Sequence, residues 1–221
     1  MNTTGLDLLN WALGPGFQIA TAIFVLGVIM RLLEILLLGR KKDLAPAKGN
    51  AATQGLKTIL SRSIPTIEQV KEAPVVNIGG YVFHIGFFIT ILFLAPHIKL
   101  FEDAFNISWP ALSTDAVEIA AALTIVALIA LLISRLLDPV RRMLSNFGDY
   151  LIYILCLLPL VTGLMATYRF GGDYNMMLAY HILSVEALMI AFPFTKLMHA
   201  FTFAISRYYN GAVQGHKGAR S

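Results

Sequence analysis

The chain has 221 residues, 57% of them hydrophobic and 14% charged, with a formal net charge of +4 and a mean hydropathy of +0.70. That composition excludes an ordinary soluble domain and predicts an all-α protein that crosses a membrane several times. The basic residues lie between apolar runs, which argues against nucleic acid as a partner. The single cysteine, Cys156, excludes internal disulfides, thiolate clusters and covalently attached c-type haem.

The N-terminal stretch MNTTGLDLLNWALGPG lacks a basic n-region and a small-residue cleavage site, so the first apolar run is expected to stay in the mature chain. That run, residues 17–38, is the first span and ends on Arg31 and Glu34, an i, i+3 pair. Residues 39–74 contain GRKK, further Lys and Arg and three prolines, and read as a basic extramembrane loop. Within it GLKTILSRSI, 55–64, reads either as a short interfacial or partner-facing helix or as plain solvated loop. The second span, 75–98, has no formal charge but contains His84 and His97. Trp109, in the loop that follows, suits an interfacial position.

The third span covers 118–137 and closes on Arg135, with Asp138, Pro139, Arg141 and Arg142 after it. The fourth covers 150–168, where Pro159 and Gly163 mark a kink or a close helix contact. The fifth, 176–205, contains His181 and His199. A single five-helix membrane domain over 1–205 would thus precede a polar, flexible tail, 206–221. Lys and Arg concentrate after span one, after span three and in the tail. The positive-inside rule then puts the N-terminus outside and the tail in the cytoplasm, with the protein in the cytoplasmic (inner) membrane.

Orientation organises the histidines. On one continuous helix His181 and His199, eighteen residues apart, would leave the same face about 27 Å apart, close to the hydrocarbon thickness of a bilayer. Span two runs the opposite way, so His84 levels with His199 near the cytoplasm and His97 with His181 near the exterior. The bland reading of one histidine at a membrane interface is a polar residue with a wet tip. Four of the five histidines, level-matched on two antiparallel spans, point instead to axial ligands of two b-type haems, with span two to span five bundled around them. His216 keeps the bland reading. Zinc would want three or four ligands, and the Glu-x-x-His motifs of a di-iron site are absent.

Two details strain this scheme. His84 and His97 are thirteen residues apart, a rise of about 20 Å with the second ring turned by roughly 140° on an ideal helix. Pro96 gives the helix a reason to distort there. Gly79, Gly80 and Gly86 around His84 would let a flat ring approach the backbone, or serve plain helix packing. Lys196 reads as a propionate partner or as a snorkelling lysine. Glu186 points away from the histidine face and reads as a contact to another helix, to a subunit or to a proton path.

The segment FPFTKLMHAFT, 192–202, with a histidine eighteen residues upstream, and FHIG, 83–86, resemble the fifth and second helices of the gamma subunit of respiratory nitrate reductase, a five-helix di-haem cytochrome b. The resemblance implies that His84 and His199 bind the haem nearer the cytoplasm and that His181 serves the distal one. In that family the second ligand of helix two falls ten residues after the first, at Leu94 here. The longer spacing to His97, followed by IKLFEDAFNISWPAL, is more similar to membrane subunits of heterodisulfide-reductase-like and dissimilatory sulfur-metabolism complexes.

The implied function is electron transfer between the quinone/quinol pool and a cytoplasmic iron–sulfur subunit, heterodisulfide-reductase-like or nitrate-reductase-like. Membrane lipid surrounds the spans. Any quinol dehydrogenase activity would be shared with a partner that carries the terminal catalysis. A quinone pocket near the exterior haem would draw on Lys99, Tyr168 and Arg169, which read equally as interfacial anchors. The competing expectation is a haem-free transporter or assembly factor that uses its histidines for protons or metal ions.

Overall fold

The computed structural model describes residues 3–39 and 44–219. Among these there is no strand, and five helical stretches are long and apolar enough to cross a membrane: Thr4–Leu37, Pro74–Phe93, Thr114–Leu137, Phe147–Thr167 and Tyr174–Phe194. Their outward side chains are themselves apolar: Leu26, Ile119 and Val126 are each more than 60% exposed. A water-soluble chain does not leave such faces open, and this is a multi-pass membrane protein. The Arg40, Lys41 and Lys42 of the GRKK run lie outside the described residues.

The chain divides into two compact units, Met1–Ala20 with Glu68–Leu188 and Thr21–Ile67 with Met189–Ser221. Helix α1 (Thr3–Trp11) precedes α2 (Phe17–Leu37), which passes from the first unit into the second after Ala20, so the apolar stretch begins well before residue 17. Between them Ala12–Gly16 forms a wide turn: Gly14 leaves helical geometry at φ −102°, ψ −105°, and Pro15 has no N–H to give.

The second span is α5 (Pro74–Phe93), opened by a proline at its first turn, where the missing N–H costs nothing. It stops at Leu94, which is extended at φ −81°, ψ 128°, and α6 (Ala95–Phe105) restarts with Pro96 in its first turn. The stop leaves the last carbonyls of α5 without helical donors, and three groups fill them: His97 Nδ1 to Thr90 O, the Trp109 indole to Leu92 O and Leu112 N to Phe93 O. The expected distortion at Pro96 is therefore a complete break, and Trp109 caps a helix with its polar end.

Helix α7 (Thr114–Leu137) starts on a Ser113 cap, and α9 (Phe147–Thr167) starts on a reciprocal Asn146/Asp149 capping box after the short α8 (Pro139–Met143). Helices α5 and α7 meet through small residues. A Cβ on Gly86 would collide with the Thr124 hydroxyl and lie 3.1 Å from Ala120 O, and one on Gly79 would touch Leu131 at 3.4 Å. Gly79 and Gly86 thus serve helix packing rather than a flat ring, since close backbone approach is what holds helices together where water gives no hydrophobic drive. Gly80 alone of the three has nothing within 4 Å of its would-be Cβ.

The fifth span does not run to residue 205. Helix α10 (Tyr174–Ala191) ends in a tight turn over Phe192–Phe194, Thr195 is extended at φ −123°, ψ 177°, and a second turn, Lys196–Met198, leads into α11 (His199–His216). Pro193 is the cause, because its ring removes a donor and clashes with the preceding turn. The five-turn, same-face relation of His181 and His199 therefore does not hold.

In the second unit that break is built in. The Pro193 ring lies where a Cβ of Gly27 would be, at 2.6 Å, Arg31 donates to Pro193 O at 3.2 Å, and Phe24, Phe192 and Phe201 pack ring on ring. Arg31 also forms its expected pair with Glu34, at 2.8 Å. The tail is helical as far as His216: α11 continues to that residue and packs on α3 (Ala51–Ser61), the helical alternative for the basic loop, capped by Asn50. Gly211 and Gly215, one turn apart, bring the two backbones together over Thr58, Gln54 and Ala51.

Candidate functional site

Four histidines share one hydrogen-bond pattern. Nδ1 of His84 faces Gly80 O at 2.6 Å, Nδ1 of His97 faces Thr90 O at 2.8 Å, Nδ1 of His181 faces Pro159 O at 3.0 Å and Nδ1 of His199 faces Lys196 O at 2.8 Å. A carbonyl only accepts, so in each case Nδ1 carries the proton and the lone pair sits on Nε2. This is the tautomer of a histidine ready to coordinate, oriented by its outer nitrogen. His216 does the reverse and donates from Nε2 to Ala45 O at 3.0 Å.

Three of the four partners come from the nearby backbone of the same segment. His84 uses the helical carbonyl four residues back, at the glycine with open space beside it. His97 reaches the carbonyl that the Leu94 break set free. His199 starts α11 and bonds to the turn that Pro193 and Thr195 created. His181 is held across helices, by Pro159 O and by Thr162 Oγ1 at 3.4 Å, with Thr162 Oγ1 in turn 3.0 Å from Ser184 Oγ. Gly163 backs its ring, since a Cβ there would lie 3.2 Å from Cε1.

His97 and His181 come together. The rings of His97 and His181 lie 6.1 Å apart between centroids with planes 13° from parallel. The break at Leu94 makes this possible: it removes the rotation that a continuous helix would impose on His97. His84 belongs to the first unit and His199 to the second, and each is held in place within its own. Among the described residues no three His, Cys, Asp or Glu side chains converge.

Lys99, Tyr168 and Arg169 make three separate contacts. Lys99 pairs with Asp103 at 2.6 Å and Glu102 at 3.4 Å, and these carboxylates raise its pKa above 10.5. The Tyr168 hydroxyl donates to Glu118, and that bond lifts the phenol above its usual 10. Arg169, at φ 52°, stacks its guanidinium 5.5 Å from the Tyr174 ring. Lys196 contributes its carbonyl to His199. Sequence reading did not find the Thr162–Ser184–Pro159 support of His181 or the Glu118 partner of Tyr168. Two small hydroxyl residues in apolar spans were the available signal for the former.

No family model matches the chain. Over 137 residues it is 34% identical to a protein of Nitratidesulfovibrio vulgaris (strain Hildenborough) whose name states no function. The match covers 62% of this chain and 60% of that relative's length.

Proposed function

We propose that this protein is a di-haem cytochrome b membrane subunit of a respiratory redox complex, passing electrons between the quinone/quinol pool and a cytoplasmic iron–sulfur partner. The observation that carries this reading is the shared nitrogen pattern: His84, His97, His181 and His199 each spend Nδ1 on a backbone carbonyl, which puts the ring lone pair on Nε2, whereas His216, in the tail, does the reverse. His97 and His181 would hold one haem iron, and His84 and His199 the other, with the N-terminus outside and the tail in the cytoplasm.

Haem fits these residues. His97 and His181 bring two imidazoles, the donor type of a b haem, within 6.1 Å of each other, and the open space beside Gly80 leaves room for a flat ring next to His84. Bound haem would supply one-electron chemistry, while the chain supplies ligation, low dielectric and orientation. Most of the chain is membrane span, so terminal catalysis falls to a partner. The resemblance to nitrate-reductase gamma and heterodisulfide-reductase-like membrane subunits supports the same reading.

The test is a reduced-minus-oxidised spectrum and a pyridine haemochrome assay on the purified protein. Two haem b per chain are expected. Protein purified from haem-replete cells with no b-type absorbance would sink the proposal in favour of a haem-free transporter or assembly factor.

A further inference from the structure

Glu186 lies twelve residues into α10, about 18 Å along its axis from Tyr174 and so near the middle of a span. It is 4% exposed, and its Oε1 is fully buried with no hydrogen-bond partner. The break in the first apolar stretch faces it. A Cβ on Gly16 would sit 3.0 Å from both carboxyl oxygens and 2.7 Å from the Trp11 ring.

Neither Trp11 nor Gly16 titrates, and among the described residues no ion pair reaches Glu186. An ionised carboxylate without a cation or donors is costly in such a place. A buried acid with a purely structural role has its oxygens hydrogen bonded. Here one oxygen is left open beside a wide turn in which Gly14 is non-helical and has nothing within 4 Å of its would-be Cβ.

We propose that Glu186 is a proton-exchanging carboxyl, loaded and unloaded beside the Gly14, Pro15 and Gly16 break. The step changes one bond: the carboxyl O–H releases H⁺ to water or another base, and the carboxylate takes a proton back. A link between this exchange and electron transfer would rest on the haem reading above, but the exchange itself does not.

Infrared spectra of the full-length protein in detergent, in H₂O and D₂O across a pH series, test it. The expected result is a protonated-carboxyl C=O band that shifts in D₂O, disappears reversibly as pH rises and is missing from Glu186→Gln. If that variant does not fold, Glu186→Asp keeps an acid and must move the same band. A band that neither exchanges in D₂O nor responds to pH, or that survives in Glu186→Gln, overturns the proposal. In haem-loaded protein, Glu186→Gln should flatten the pH dependence of the midpoint potential, and an unchanged slope removes the link to electron transfer. Absence of haem would defeat the haem reading alone, because the infrared result stands without it.

Discussion

His97 and His181 face each other with ring centroids 6.1 Å apart and planes 13° from parallel, although one follows a helix break and the other sits inside a regular helix. The pairing depends on the extended backbone at Leu94, which lets His97 turn toward α10. Replacing either ring should remove one haem and leave the other. For His97→Ala, and separately for His199→Ala, the haem-to-protein ratio is expected to fall by about half. Retention of both haems in every single-histidine variant would mean that the ligands lie elsewhere.

Gly80 and Gly86 should separate packing from cofactor binding. Gly86→Ala pushes a methyl group into Thr124, and overpacking of that kind costs about 1–3 kcal/mol. The melting temperature in detergent should fall for Gly86→Ala. Gly80→Leu meets no protein atom near its Cβ, so it should leave the melt little changed while lowering haem content.

Gly211→Leu should release α3 from α11, because the new side chain runs into Thr58 and the Gln54 carbonyl, 2.7 Å from the Cβ position. The cost is again about 1–3 kcal/mol and is confined to this helix pair. Limited trypsin digestion should then cut faster at Lys57 and Arg62, with the spans intact.

Tyr168 should ionise only above its usual pH of 10, because its hydroxyl donates to the Glu118 carboxylate and Asp115 adds further negative potential. A raised phenol pKa contributes stability that is fully present below pH 10 and is lost as pH rises through the raised value. Glu118→Ala removes the acceptor and should bring the titration back down. The difference in tyrosinate absorbance between each background and its Tyr168→Phe partner isolates the group.

The sequence by itself determined the class of protein and the number of its spans. Runs such as 118–137 and 150–168 have no soluble alternative, and polar backbone in hydrocarbon must close its own hydrogen bonds as helix. It also singled out four of five histidines, because an imidazole in an apolar span is conspicuous. Prolines were visible, but their consequences were not: Pro96 and Pro193 each end a helix outright, and whether a proline kinks or breaks depends on what receives the freed carbonyls. At Thr90, Leu92 and Phe93 those receivers come from His97, Trp109 and Leu112, up to nineteen residues farther on. Tertiary structure alone decided that the helix runs on to His216, because Gly211 and Gly215 mean little until α3 lies against them. It likewise decided that Gly86 serves α7 and that the Glu186 carboxyl faces Gly16, since a glycine's role is set by the atom that takes the place of its missing side chain.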